Sequence, residues 1–248
     1  MPRQGRLGPW YVLGISIIKP PTLAFTRREA TGAENVPRGG VILAANHISN
    51  ADPAVLCDMI LFVLRRAPRF LAKSEMFRGN GLVARVMRGA RQIPVDRHAA
   101  DASGALVPAV EALARGEAVA IYPEGTVTRD PGKWPMRART GVARLALLSG
   151  APVVPIAQWG AQEVHDTHRR KGLHLLPRTT VRFRVGPPVD LSRWAGQELT
   201  AQVLEEATGA IMDAITAELA VLRGEPAPAQ RYDPRGARPD GEDGRGSA

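Results

Sequence analysis

Lysine is nearly missing from this chain. It occurs only at Lys19, Lys73, Lys133 and Lys171, so arginine supplies nearly all the positive charge behind a formal net charge of +9. A GC-rich coding sequence would give the same bias. A selected basic surface would instead face nucleic acid, an anionic membrane or an anionic substrate. Aromatic residues are also scarce, at 5%. The arginines are not gathered with aromatics on one segment, which argues against a nucleic-acid-binding protein. There is one cysteine, Cys57. No intrachain disulfide can form, as suits a reducing cytoplasm. No dense His/Cys cluster of the zinc type is present, so no metal or other cofactor is expected. The apolar stretch Trp10 to Ile18 ends at Lys19-Pro20-Pro21, well short of the roughly 20 residues of a spanning helix, and lacks a small-residue cleavage site. Trp10 and Tyr11, with Arg3, Arg6 and Lys19 flanking, suit a helix lying in a membrane interface; a short core helix is the plainer alternative.

What the chain does contain is alternation. Its 248 residues fit one large domain with appendages. Residues 1–34 read as an N-terminal interfacial segment, 35–223 as the folded domain, and 224–248, rich in Gly, Pro and charge, as a disordered tail. Strands are predicted at Val41 to Ala45, Arg69 to Ala72, Ala90 to Val95, Ala118 to Tyr122, Pro152 to Ala157 and Thr180 to Val185. Helices are predicted over 52–66, 74–88 with a break near Gly79, 103–115, 140–149, and 199–222 with a possible break at Gly209. Asp52 can cap its helix and Pro53 suits the first turn. Pro94 argues for an edge strand. Strands alternating with helices indicate an α/β domain with a largely parallel sheet flanked by helices.

In such sheets ligands bind at the carboxyl ends of the strands. His47 falls at one such end and Asp52 opens the next helix. A carboxylate placed there fixes an imidazole tautomer and stabilises the charged ring, so that the other nitrogen can take a proton from a hydroxyl. Taken alone, the pair is weak: Asp52 could be only a cap and His47 an ordinary turn residue. Three further segments end strands that can line the same edge: Arg91 to Arg97, Tyr122 to Thr126, and Val153 to Ile156. Arginine suits phosphate through its forked donors, and Gly125 lets backbone approach a ligand closely. His98, His165, His168 and His174 lie in polar stretches and read as solvated. Cys57 reads as a small core residue.

These blocks stand as NHISNAD, GARQIPVDR, YPEGT and VVPI, and in that order they resemble the glycerolipid acyltransferase family, specifically bacterial 1-acylglycerol-3-phosphate acyltransferases, over roughly residues 35 to 190. The resemblance implies transfer of an acyl group from a thioester, on coenzyme A or acyl carrier protein, to the sn-2 hydroxyl of lysophosphatidic acid in phospholipid biosynthesis. It makes His47 the general base and Asp52 its orienting partner. Arg97 would hold the acceptor phosphate, and Glu124, Gly125 and Thr126 would shape the acceptor site. Lys73 matches a further basic position. The family's usual arginine after the threonine is missing: Val127 stands there, and Arg129, two residues on, is the candidate replacement. That departure leaves open another acceptor, such as glycerol 3-phosphate, another lysophospholipid or an amino-acid lipid. A non-catalytic basic binding protein is the remote alternative. The expected location is the cytoplasmic face of the cell membrane, as a peripheral or monotopic protein.

Overall fold

A computed structural model describes residues 7–95, 104–166 and 172–234. Seven strands form one sheet: β1 (Thr26–Thr31), β2 (Val41–Ala45), β3 (Pro68–Lys73), β4 (Ile93–Val95), β5 (Ala118–Ile121), β6 (Val153–Trp159) and β7 (Thr179–Val185). Their order across the sheet is β1-β7-β6-β2-β5-β3-β4. From β6 to β4 all neighbours run parallel; β7 is antiparallel to β6 and parallel to β1. The expectation of an α/β fold with a mostly parallel sheet is met.

The helices are α1 (Pro9–Phe25), α2 (Asp52–Phe62), α3 (Leu82–Gly89), α4 (Val107–Ala114), α5 (Gly141–Ser149), the short α6 (Ala161–Val164) and α7 (Ala201–Arg223). β2 shows how they cover the sheet. Every residue of it is buried, and side chains alternate across a strand. Ile42 and Ala44 pack with α4, α5 and α7, while Val41, Leu43 and Ala45 pack with α2 and the β6–β7 side. A strand apolar on both faces is what a sheet covered on both sides requires. β4, with Pro94, takes the edge, where a missing N–H is tolerated.

Several sequence expectations need correction. The helix predicted over 52–66 stops at Phe62, and Arg65 adopts φ +54°. The helix around Gly209 is unbroken. β1 was missed: it lies inside the segment grouped as an N-terminal appendage, yet it pairs with β7 along its whole length. Its composition, Thr-Arg-Arg-Glu-Ala-Thr, half exposed, hides the strand signal. Residues 224–234 are not free tail. Arg137 N–H donates to the Tyr232 carbonyl at 2.9 Å, and Arg231 pairs with Asp213 on α7.

The N-terminal apolar stretch does form a helix, which runs on through Pro20 and Pro21. The Thr22 hydroxyl bonds the Ile18 and Lys19 carbonyls there. Tyr11 is buried and donates its hydroxyl to the Pro68 carbonyl, and Trp10 lies so close to Gly89 that a Cβ there would sit 2.2 Å from the indole. Trp10, Val12, Leu13, Ile17 and Leu23 are exposed. No helix among the described residues is long and apolar enough to cross a membrane.

Candidate active site

Because β2, β5, β3, β4 and β6 run the same way, their carboxyl ends share one edge. His47 lies two residues beyond β2, in the turn to α2. The Asp52 carboxylate reaches back into this turn: its Oδ2 lies 2.8 Å from His47 Nδ1 and accepts the N–H groups of Ile48 (2.6 Å) and Ser49 (2.8 Å). Asp52 therefore does not cap α2; it ties the preceding turn. It is fully buried. Burial pushes its carboxyl pKa above the ordinary value, and the bonds from His47, Ser49 and Ile48 pull it back. An oxygen receiving two backbone N–H donors has only acceptor character left for Nδ1. The ring thus carries its proton on Nδ1 and leaves Nε2 as the basic nitrogen.

The main chain of His47 is fixed from the β5 side. Its N–H donates to Glu124 Oε1 at 3.0 Å, and its carbonyl accepts Thr128 N–H at 2.7 Å. Glu124 Oε2 accepts Met136 N–H at 3.0 Å, and the Thr128 hydroxyl donates to the Trp134 carbonyl at 2.7 Å. Glu124 is 4% exposed, and burial, ahead of any other cause, pushes its pKa up to about 8. The carboxyl expected to shape the acceptor site is in fact spent on backbone. Gly125 has φ +75° and closes the turn with a bond to the Tyr122 carbonyl; a side chain would be strained there.

Two contributors were not picked out from the sequence. The Tyr122 ring stacks on the His47 imidazole, with centroids 4.2 Å apart and planes 19° from parallel. Immediately before His47, Asn46 and Gln158 exchange three bonds: Asn46 Nδ2 to the Gln158 carbonyl, Gln158 N–H to Asn46 Oδ1, and Gln158 Nε2 to the Asn46 carbonyl. This locks the end of β2 to β6. Asn46 stood in the quoted motif without a role, and Gln158 carried no local signal. His165, read as solvated, is half-buried, and its carbonyl accepts the Ser49 hydroxyl.

The expected anion-binding residues are placed differently. Lys73 ends β3 with an exposed side chain, and its Cα partner on β4 is Val95. Thr126 and Arg129 are exposed, whereas Val127 is buried. Position 127 therefore faces the interior, and Arg129 is not its equivalent by simple alternation. Arg97, like His98 and His168, lies outside the described residues. Cys57 packs beside Tyr11 and Leu61. Burial pushes its thiol pKa up to about 12, far from thiolate reactivity.

Among known proteins, the family model described as Acyltransferase matches residues 27–159. A 1-acyl-sn-glycerol-3-phosphate acyltransferase of Borreliella burgdorferi is 27% identical over 184 residues, covering 71% of this chain and 68% of the relative. The protein of the same name from Bacillus subtilis is 26% identical over 144 residues, covering 58% and 68%. The crystal structure of the 1-acyl-sn-glycerophosphate acyltransferase of Thermotoga maritima superposes with a TM-score of 0.60 over 88% of this chain and 80% of that one, at 22% identity. The family match starts within β1 and ends with β6, enclosing His47, Asp52 and the whole Tyr122–Thr128 turn: this chain belongs to the acyltransferase family.

Proposed function

We propose that the protein transfers a fatty acyl group from an acyl thioester to the sn-2 hydroxyl of 1-acylglycerol 3-phosphate, giving phosphatidic acid. The observation that carries this reading is the 2.8 Å contact of His47 Nδ1 with a buried carboxylate, which leaves Nε2 free at the sheet edge. The names of the curated relatives supply the acceptor. As the hydroxyl oxygen attacks the thioester carbonyl, its proton passes to Nε2. The new C–O bond forms, the C–S bond of the tetrahedral intermediate breaks, and the leaving thiolate takes a proton from the imidazolium. General base catalysis contributes about 10²–10⁴-fold, and anchoring of the acceptor phosphate by Arg97, with Lys73, Thr126 and Arg129 near the same edge, adds proximity. A thiolate leaves readily, so this chemistry calls for no cofactor beyond the acyl-CoA or acyl carrier protein co-substrate.

The exposed apolar residues of α1, joined by Leu82 and Val83 on the adjoining α3, suit contact with the membrane that holds both lipids, on its cytoplasmic face. Because Tyr11 and Trp10 also pack inward, the clean test of that contact is Ile17→Glu, which should release the protein from anionic vesicles while leaving its melting temperature unchanged. The transfer itself is tested with purified protein, an acyl-CoA or acyl carrier protein thioester, and a panel of lysophosphatidic acid, glycerol 3-phosphate and lysophosphatidylcholine, following thiol release. Lysophosphatidic acid should be the preferred acceptor. Faster release with either of the others would overturn the assignment, and the buried Val127 would be the place to look for the reason.

A further inference from the structure

A cavity of about 870 Å³ lies where α5 begins and α7 and residues 231–233 close over it. Its wall carries Arg137, Arg139, Arg144 and Arg231 together with Glu205 and Asp233. Arg137 is engaged with Asp233 (2.9 Å) and Glu205 (3.5 Å), and Arg231 with Asp213. Arg139 makes no ion pair with any described residue, and its side chain is exposed.

Three features of this cavity exceed what packing alone requires. α5 starts at Thr140 without a side-chain cap and without an acidic residue in its first turn. The helix itself therefore supplies no side-chain cap to its first N–H groups and no carboxylate to the positive end of its dipole, and a Cβ on Gly141 would meet nothing within 4 Å. Thr208, on α7, lines the cavity, is 6% exposed, and has a hydroxyl with no hydrogen-bond partner. A buried hydroxyl is normally bonded, and in a helix the carbonyl four residues back is at hand. Gly209 beside it sits inside an unbroken helix, where glycine costs about 1 kcal/mol relative to alanine. A Cβ there would also meet nothing within 4 Å. Nothing in the fold calls for glycine at that position, but an open groove does.

We propose that this cavity is a binding site for the phosphate groups of a small molecule, held by the first N–H groups of α5, Arg139 and the Thr208 hydroxyl. Helix N-termini and forked guanidinium donors suit phosphate. A cavity of this volume admits a ligand of nucleotide size rather than a lone ion. It also communicates with the catalytic turn: Arg139 N–H donates to the Pro123 carbonyl at 3.1 Å, and Met136 N–H to the same Glu124 that holds His47. Two sources share this chemistry, the nucleotide end of coenzyme A and a glycerophosphate headgroup. The site goes beyond the acyl-transfer reading and does not need lysophosphatidic acid to be the acceptor.

The test is calorimetric titration of the full chain with coenzyme A, adenosine 3′,5′-bisphosphate, and glycerol 3-phosphate. Binding of adenosine 3′,5′-bisphosphate, weakened at least tenfold by both Arg139→Glu and Thr208→Val, supports the site and assigns it to the donor. Binding of glycerol 3-phosphate alone, lost in the same variants, supports the site and assigns it to a glycerophosphate. Gly209→Leu, which favours the helix while filling the groove, should weaken binding without lowering the melting temperature, and so separates occupancy from folding. No binding by any probe, or binding that survives all three substitutions, overturns the proposal. His47→Ala should bind as wild type does, so failure of the acyl-transfer reading leaves this result untouched.

Discussion

His47 is held by its ring nitrogen, its N–H, its carbonyl and the face of its imidazole. At the same sheet edge Lys73, Thr126 and Arg129 stand exposed. On the proposed mechanism the two regions have different tasks. A base must stay within hydrogen-bond reach of one hydroxyl, and small displacements of reacting groups cost rate steeply. Cations that meet a lipid phosphate act over longer range and must let it enter and leave. A rigidly held histidine thus stands beside an open, exposed rim, and each half can be tested separately.

The largest effect should come from the held half. His47→Ala removes the base and should lower kcat by about 10²–10⁴-fold; it also takes a partner from the buried Asp52 carboxylate, so its melting temperature should fall as well. A variant keeping more than about a tenth of wild-type turnover would end the general-base mechanism. Asp52→Asn comes next, with a smaller loss in kcat: its amide oxygen can keep the bonds to Nδ1, Ile48 and Ser49, but it lacks the charge that stabilises the imidazolium. It should also reduce stability, by about 1–3 kcal/mol, since its NH₂ would take the buried Oδ1 position, which has no hydrogen-bond partner. Turnover measured on protein that thermal melts show to be folded separates loss of the base from loss of the fold.

The proposed phosphate anchor should respond in a different parameter. Arg97→Ala should raise KM for lysophosphatidic acid roughly 10–100-fold, the equivalent of one charge-assisted pair at about 1.5–3 kcal/mol, with a smaller loss in kcat. Arg97→Lys should recover only part of this, because lysine keeps the charge and not the fork. The comparison to make is lysophosphatidic acid against uncharged monoacylglycerol. If wild type and variant discriminate alike, Arg97 is not the anchor, and Lys73 or Arg129 takes its place.

The same division explains what could be read from the sequence. The continuous apolar runs of β2, β5 and β6 gave strands within about two residues of their observed ends, and the His47–Asp52 contact follows from a five-residue turn between a strand end and a helix start. β1 was hidden because a strand exposed on one face and rich in arginine looks like a polar linker. The bonds of Glu124 were not legible for a physical reason: its carboxylate accepts two backbone N–H groups 77 and 12 residues away in sequence, which only the fold brings together. Gln158 was invisible because its partner, Asn46, is 112 residues away.

Glu124→Gln should give the smallest effect on rate and the most informative one on stability. Both oxygens of Glu124 accept backbone N–H groups, from His47 and Met136. An amide can satisfy only one of them and turns its NH₂ toward the other, so the variant should lose about 1–3 kcal/mol at pH 5 and a few-fold in kcat as His47 loosens. The pH dependence is the sharper measurement. Burial raises the folded-state pKa to about 8 from an ordinary 4.5. Between those values the unfolded chain has released this proton while the folded chain retains it, so stability falls as pH rises. This group's contribution is fully present below the unfolded pKa and is lost as pH passes through about 8. Glutamine cannot titrate and carries no such slope. The stability gap between wild type and Glu124→Gln should therefore narrow steadily from pH 5 to pH 8.5 in denaturant melts. A gap that stays constant over that range would mean Glu124 is ionised throughout. The two N–H donors would then outweigh burial, and the turn that carries His47 would be held by a permanent charge.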